Sequence, residues 1–190
     1  TDTWGISYTE YYSSNGSITD SPNGDYAPNS MNEIFLNDTI DLTMQSTAEL
    51  SFYTKWNIES GWDYAQVSVS TDYGNSWQAM CGLYTKDGNE YQDFGQPIYD
   101  GSQNDWVQES IDLNDYIGEF IMLKFSIVSD GYVEEDGFYF DDLKITGSTE
   151  IGVQELHNNF NIYPNPSNGI INLKLTHRST GSILITNING

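Results

Sequence analysis

The sequence has very little positive charge. Six lysines and arginines face 28 aspartates and glutamates, a formal net charge of −22. Nothing in such a chain offsets phosphate repulsion, which excludes nucleic acid as a partner and argues against anionic membrane surfaces. The balance favours solubility and cations as partners. Cysteine is nearly absent: Cys81 stands alone, so no internal disulfide can form, and a lone free thiol is expected as core filler. Histidine is almost as scarce. His157 and His177 lie toward the C-terminus, with no His-Glu-x-x-His or His-x-x-Glu pairing, so a zinc hydrolase site is not encoded. No Gly-x-Ser-x-Gly occurs to mark a nucleophile elbow. No apolar run approaches the ~20 residues of a membrane span, and no stretch keeps a 3.6-residue period between helix caps.

What remains is alternation. Leu50, Phe52, Thr54 and Trp56 alternate with Ser51, Tyr53, Lys55 and Asn57. Ala65, Val67 and Val69 share one face of a second run, Val107, Ile111 and Leu113 of a third, and Ile121, Leu123, Phe125 and Ile127 of a fourth. Many short strands between Gly/Asn/Asp turns predict an all-β, antiparallel, jelly-roll-like sandwich. The 14 tyrosines and five tryptophans suit its strand faces. Within it, STDYGNSW (residues 70–77) is a complete Asp-box pattern. It predicts a hairpin in which Asp72 accepts backbone N–H groups, Gly74 supplies positive φ and Trp77 folds back. That is a structural device rather than a sugar site.

The charge marks a boundary. Residues 1–149 hold 26 acidic and 4 basic side chains, whereas residues 150–190 hold two of each. The polar stretch TGSTEIGVQELHNN reads as a linker. We therefore expect a sandwich over 1–148, a linker over 149–159 and a small partial β-sandwich over 160–190. In the last part IYPNPSNG breaks the chain, because proline fixes φ and disfavours helix before it, and Asn168-Gly169 forms a turn. Ile171, Leu173 and Leu175 then alternate as a half-buried strand. The opening TDTWGIS reads as a domain already under way, the expectation for a piece cut from a larger protein.

Two acidic segments could converge. ITDSPNGDYA places Asp20, Asn23 and Asp25 in a Pro/Gly loop, and FYFDDLKITG interrupts an apolar strand with Asp141 and Asp142. Adjacent strand residues face opposite ways, so one of these carboxylates points inward unless a bulge turns it. An inward carboxylate is expensive unless paired or coordinated. Few basic residues are at hand, and Ca²⁺ takes six to eight such oxygens. The alternative is a pair of aspartates capping loops at a strand edge. The run Glu134, Glu135, Asp136 is expected to be a solvated loop rather than a glycosidase carboxylate pair.

Together WGIS, DSPNGDYAPNS, IESGWDYAQVSVSTDYGNSW, the YDGSQNDWVQESIDL segment and DGFYFDDLKI resemble the MAM-like β-sandwich attached to immune-inhibitor-A-type metallopeptidases. The same module follows secreted zinc carboxypeptidases. The resemblance covers residues 4–147. It implies a structural calcium held by the Asp-containing loop and the Asp-Asp of the last strand: Asp20, with Asp141 or Asp142, then Asn23 and Asp25. The stretch NFNIYPNPSNGIINLKL resembles the start of the C-terminal sorting domain of type IX secretion in Bacteroidota, with Tyr163, Pro164, Asn165, Pro166 and Gly169 as its motif. SILITNING fits its next strand, and the family's domain runs several strands further. This implies export across the outer membrane, with the tail read by an outer-membrane shuttle and a sortase, to the cell surface or the medium.

The expected function is a non-catalytic accessory module of a secreted or cell-surface protein, with a protein or carbohydrate ligand. The alternatives are a carbohydrate-binding module, suggested by Tyr11, Tyr12, Tyr84, Tyr91, Tyr99 and Tyr132 on an acidic sandwich, and an adhesin domain. Three such rings in a flat row would favour sugar, whereas rings scattered into strand packing would favour the accessory module.

Overall fold

Alternation in the sequence becomes two faces of a sheet. The computed structural model describes residues 4–149 and, by backbone alone, two further strands at Phe160–Tyr163 and Asn172–Leu175. The chain divides into two compact units, Thr1–Glu150 and Ile151–Gly190. In the first unit the strands are β1 (Gly5–Ser7), β2 (Ser17–Thr19), β3 (Met31–Phe35), β4 (Ile40–Asp41), β5 (Thr47–Ile58), β6 (Tyr64–Ser70), β7 (Gln78–Ala79), β8 (Lys86–Asp87), β9 (Pro97–Ile98), β10 (Gly101–Asp112), β11 (Phe120–Val128) and β12 (Gly137–Ser148). The helical content among the described residues is one 3₁₀ turn, Asn114–Tyr116.

Two antiparallel sheets carry the fold. One runs β1-β2-β12-β5-β10 and the other β3-β11-β6-β7, with β4 also pairing β11. Sequence-distant strands lie side by side, as expected of a jelly-roll-like sandwich. The predicted faces point inward: Leu50, Phe52, Thr54 and Trp56 of β5 meet Ile121, Leu123, Phe125 and Ile127 of β11, all buried. Val67 and Val69 join them from β6, and Phe138 and Phe140 from β12. Phe125 stacks on Phe140, with ring centroids 4.2 Å apart, and meets Phe52 edge-on at 5.4 Å. Truncating this ring removes apolar contact and leaves a cavity, so Phe125→Ala should cost about 3–5 kcal/mol in urea denaturation. An unchanged midpoint would contradict this account of the core.

Two details depart from expectation. Cys81 is exposed rather than core filler; it lies just beyond β7, where the chain leaves the sheet. Glu109 is buried on the apolar face of β10, between Val107 and Ile111. Its carboxylate accepts Leu83 N–H at 2.6 Å, Tyr84 N–H at 3.1 Å and the Tyr99 hydroxyl at 2.9 Å, and so pins the turn after Gly82 to the core.

The Asp box forms as a hairpin. Asp72 Oδ1 accepts Ser76 N–H at 2.8 Å, Asp72 Oδ2 accepts the Ser76 hydroxyl at 2.6 Å, and the Ser70 hydroxyl donates to Oδ1 at 2.8 Å. These donors hold the Asp72 carboxyl down at about 2. Gly74 takes φ +85°, and Trp77 turns back against Phe35 beneath the Lys124 ammonium.

In the second unit β13 (Phe160–Tyr163) pairs antiparallel with β14 (Asn172–Leu175), placing Ile162 opposite Leu173. The strand expected from the Ile171–Leu175 alternation is therefore formed over 172–175. Pro164, Asn165, Pro166, Gly169, Ile171, the two histidines and the 182–190 segment lie outside the described residues.

Candidate metal and ligand sites

Asp20 follows β2 immediately, and the β2–β12 register fixes its neighbours. Thr19 lies opposite Tyr139 and Ile18 opposite Phe140, so Asp20 falls beside Phe138. Its side chain is wholly buried. Oδ1 accepts Phe138 N–H at 2.7 Å, whereas Oδ2 is buried without a partner. Burial pushes this carboxyl up to about 7, against the pull of the Phe138 N–H, and the nearby Asp136 charge adds to the rise. Gly137, at φ +94°, passes so close that a Cβ there would lie 2.6 Å from Asp20 Oδ1. Ser21 Oγ donates to the Asp136 carbonyl, and the Tyr139 hydroxyl donates to Asp136 Oδ1 at 2.9 Å. The result is a buried, half-satisfied carboxylate with a second carboxylate beside it.

The other candidates are placed differently. Asn23 and Asp25 are exposed on the loop that follows Asp20. Asp141 and Asp142 make their hydrogen bonds to the Tyr12–Ser13 segment rather than to the residues around Asp20. Asp141 is three strand residues beyond Phe138, about 10 Å along β12. The pairing of β12 with β5 slips between Asp141 and Lys144, and Asp142 takes φ +50°. This bulge turns both carboxylates away from the core and lets Leu143 pack against it instead. Asp141 Oδ2 accepts Tyr12 N–H and Ser13 N–H, both at 2.9 Å, and Asp142 Oδ1 accepts the Ser13 hydroxyl at 2.8 Å. The aspartate pair fastens a loop. Asp141→Ala should lower the thermal midpoint equally in calcium and in chelator; a loss seen only in calcium would restore Asp141 as a ligand.

Sequence reasoning missed a second carboxylate set. Oxygens of Glu59, Asp63 and Asp130 lie within 4.8 Å of one another. Asp63 is buried, accepting the Tyr26 hydroxyl at 2.8 Å and Asp130 N–H at 2.7 Å. Burial raises the Asp63 and Glu59 carboxyls, and the charges of Asp130 and Glu134 push the same way. Nor is the Glu134–Asp136 run simply solvated: Asn57 donates to Glu135 Oε2 at 2.7 Å, and Tyr26 N–H donates to the Glu135 carbonyl at 3.0 Å. Asp130 is 67 residues from Asp63, and no local pattern announces their meeting.

The aromatics scatter. Tyr99 is core, Tyr84 meets Trp56 edge-on, Tyr91 leans on Trp62 at 4.5 Å, and Tyr12 stacks on Tyr53 at 3.5 Å. The row envisaged from the sequence does not form. Among the described residues there is also no histidine, and none of these sites pairs a nucleophile with a base.

The described residues thus form an all-β sandwich with carboxylates gathered in its end loops. Residues 9–155 match the family described as immune inhibitor A-like, MAM domain, and the chain belongs to it. Residues 161–190 match the secretion system C-terminal sorting domain. The tail thus marks the protein for type IX export, to the cell surface or the medium. The chain is similar to Bacillopeptidase F of Bacillus subtilis (strain 168), 27% identical over 123 residues, which are 65% of this chain and 7% of that protein. It is also similar to Pre-pro-metalloprotease PrtV of Vibrio cholerae serotype O1 (strain M66-2), 28% identical over 100 residues, 53% of this chain and 10% of that protein. The chain therefore spans a tenth or less of the length of the relatives it matches. No helix among the described residues is long and apolar enough to cross a membrane.

Proposed function

We propose that this chain is a non-catalytic accessory module of a secreted or cell-surface metallopeptidase, such as a zinc carboxypeptidase, delivered by its C-terminal tail. The observation that carries this reading is the similarity to short segments of two far longer proteases, joined here to a sorting tail. The tail's partners are an outer-membrane shuttle and a sortase, which recognise the Tyr163-Pro164-Asn165-Pro166 motif and Gly169. The test is a host-cell export assay in which the parent protein carries Pro166→Ala and Gly169→Val. Retention in the periplasm supports the reading, and export at the normal level contradicts it.

A structural Ca²⁺ belongs to the same proposal. The orphaned, buried Asp20 Oδ2 supports it, because a hard cation satisfies such an oxygen where no basic residue among those described pairs with it. Asp20 and Asp136 would hold the ion, with Asn23 and Asp25 on the adjoining loop and Asp141 and Asp142 outside the set. The ion would supply charge compensation that ties the loop after β2 to the loop before β12. Calorimetric titration should show calcium binding that Asp20→Asn abolishes and Asp141→Ala leaves intact.

A further inference from the structure

We propose that the outer face of the five-stranded sheet is a binding site for a neutral polysaccharide chain. Two adjoining hollows, of about 530 and 430 Å³, lie along this face over β10, β5 and β12. The register explains them. Ser51 of β5 has Ser110 of β10 on one side and Lys144 of β12 on the other. The paired serines set a low floor at the centre of the face. Two residues further along β5 in one direction, Glu49 faces Asp112, and in the other Tyr53 faces Gln108. From Thr47 to Tyr53 the trough is about 20 Å long.

Its lining has the chemistry of sugar recognition. Hydroxyl, amide and carboxylate groups stand where they can exchange hydrogen bonds with a polyol. Glu49 and Asp112 stand directly opposite one another; Asp112 Oδ1 accepts Asn114 N–H at 2.8 Å, and Lys144, opposite Ser51, is the diagonal neighbour of Glu49. Ligand hydroxyls can donate to the carboxylate oxygens left open. At the far end stands an aromatic ledge. Tyr12 lies flat on Tyr53, with 10° between the rings, and Trp106 sits edge-on at 6.4 Å. Tyr12 is 46% exposed, so its outer face is open. The apolar C–H face of a pyranose packs on such a ring while its hydroxyl edge points to the polar floor. The Asp141 bonds to Tyr12 N–H and Ser13 N–H hold this ledge at the mouth of the trough, which gives the β12 bulge a purpose. The net charge of −22 selects a neutral chain over an acidic one. The site gives the accessory role a ligand. Its test reads binding alone, so its failure leaves the export and calcium readings standing.

The test is calorimetric titration of the 190-residue chain with cellohexaose, xylohexaose, mannohexaose and laminarihexaose, with polygalacturonate as the acidic control and unfolded casein as an extended polypeptide. At least one neutral hexaose should bind and polygalacturonate should not. Tyr12→Ala should weaken binding about tenfold by removing the stacking surface. Ser51→Tyr should abolish binding by filling the floor, and Phe94→Ala, on an exposed loop outside the trough, should change nothing. Where Ser51→Tyr lowers the melting midpoint, the Tyr12→Ala titration decides alone. The proposal is overturned by the absence of binding to every neutral hexaose, by binding indifferent to Tyr12→Ala, or by casein binding in the hexaoses' place that Ser51→Tyr blocks.

Discussion

Melted in chelator, the sandwich should gain stability as the pH falls from about 8 to about 5; melted in saturating calcium, the gain should be clearly smaller. The Asp20 carboxyl rises from 3.8 to about 7 through burial. A raised carboxyl binds its proton more readily in the folded state, so between roughly pH 4 and pH 7 the folded protein carries the extra proton. Stability then rises as the pH drops through that window. That rise corresponds to an upper bound on the order of 4 kcal/mol. Asp63 and Glu59, also raised by burial, act with the same sign. Asp72 acts oppositely: held at about 2, it loses its contribution only in stronger acid. Calcium keeps Asp20 ionised and compensated, and at a hundredfold excess over Kd it adds about 2.7 kcal/mol at neutral pH. Relief of overall negative self-repulsion also favours lower pH, so Asp20→Asn is the control that isolates the effect. In that variant the calcium shift should vanish and the slope in chelator should flatten. Coincident curves in calcium and chelator, with a slope unchanged by Asp20→Asn, would remove the ion from the account.

Deleting residues 151–190 should abolish export while leaving the melting midpoint of the sandwich within a degree or two, because the core cluster is built within Thr1–Glu150. The unit Thr1–Glu150 contains both large sheets and the core built on β5, β11 and β12. The two short tail strands, β13 and β14, form a hairpin that is marginal in water by itself. A truncated sandwich that melts far lower, or one that still reaches the cell surface, would contradict the assignment of YPNPSNG as a sorting signal.

Much of this architecture is legible wherever period two is strict. Leu50 to Trp56 and Ile121 to Ile127 announce their faces because each lies in a central strand with one side on the core. The Asp box is legible because its turn is closed by residues within one octapeptide. What could not be read depends on register and on distant pairing. The Asp141–Lys144 slip decides that the aspartate pair fastens the Tyr12 loop, and only the partner strand β5 reveals it. The same limit hid Asp136 as the neighbour of Asp20, and the meeting of Glu59, Asp63 and Asp130. Glu109 was the one legible omission. It sits on the face shared by Val107 and Ile111, and an acidic residue there is a sign of buried donors needing an acceptor.

Whether the module is catalytic is decided by assaying hydrolysis with the purified chain itself. Casein and the neutral hexaoses are incubated with the protein in calcium and in zinc, and products are followed by mass spectrometry. No turnover above the buffer control is expected, because among the described residues none of the carboxylates of Asp20, Glu59, Asp63 and Asp130 stands with a nucleophile paired to a base. Product formation that disappears in Asp63→Asn or Glu59→Gln, with the fold intact by melting, would show that this module is an enzyme.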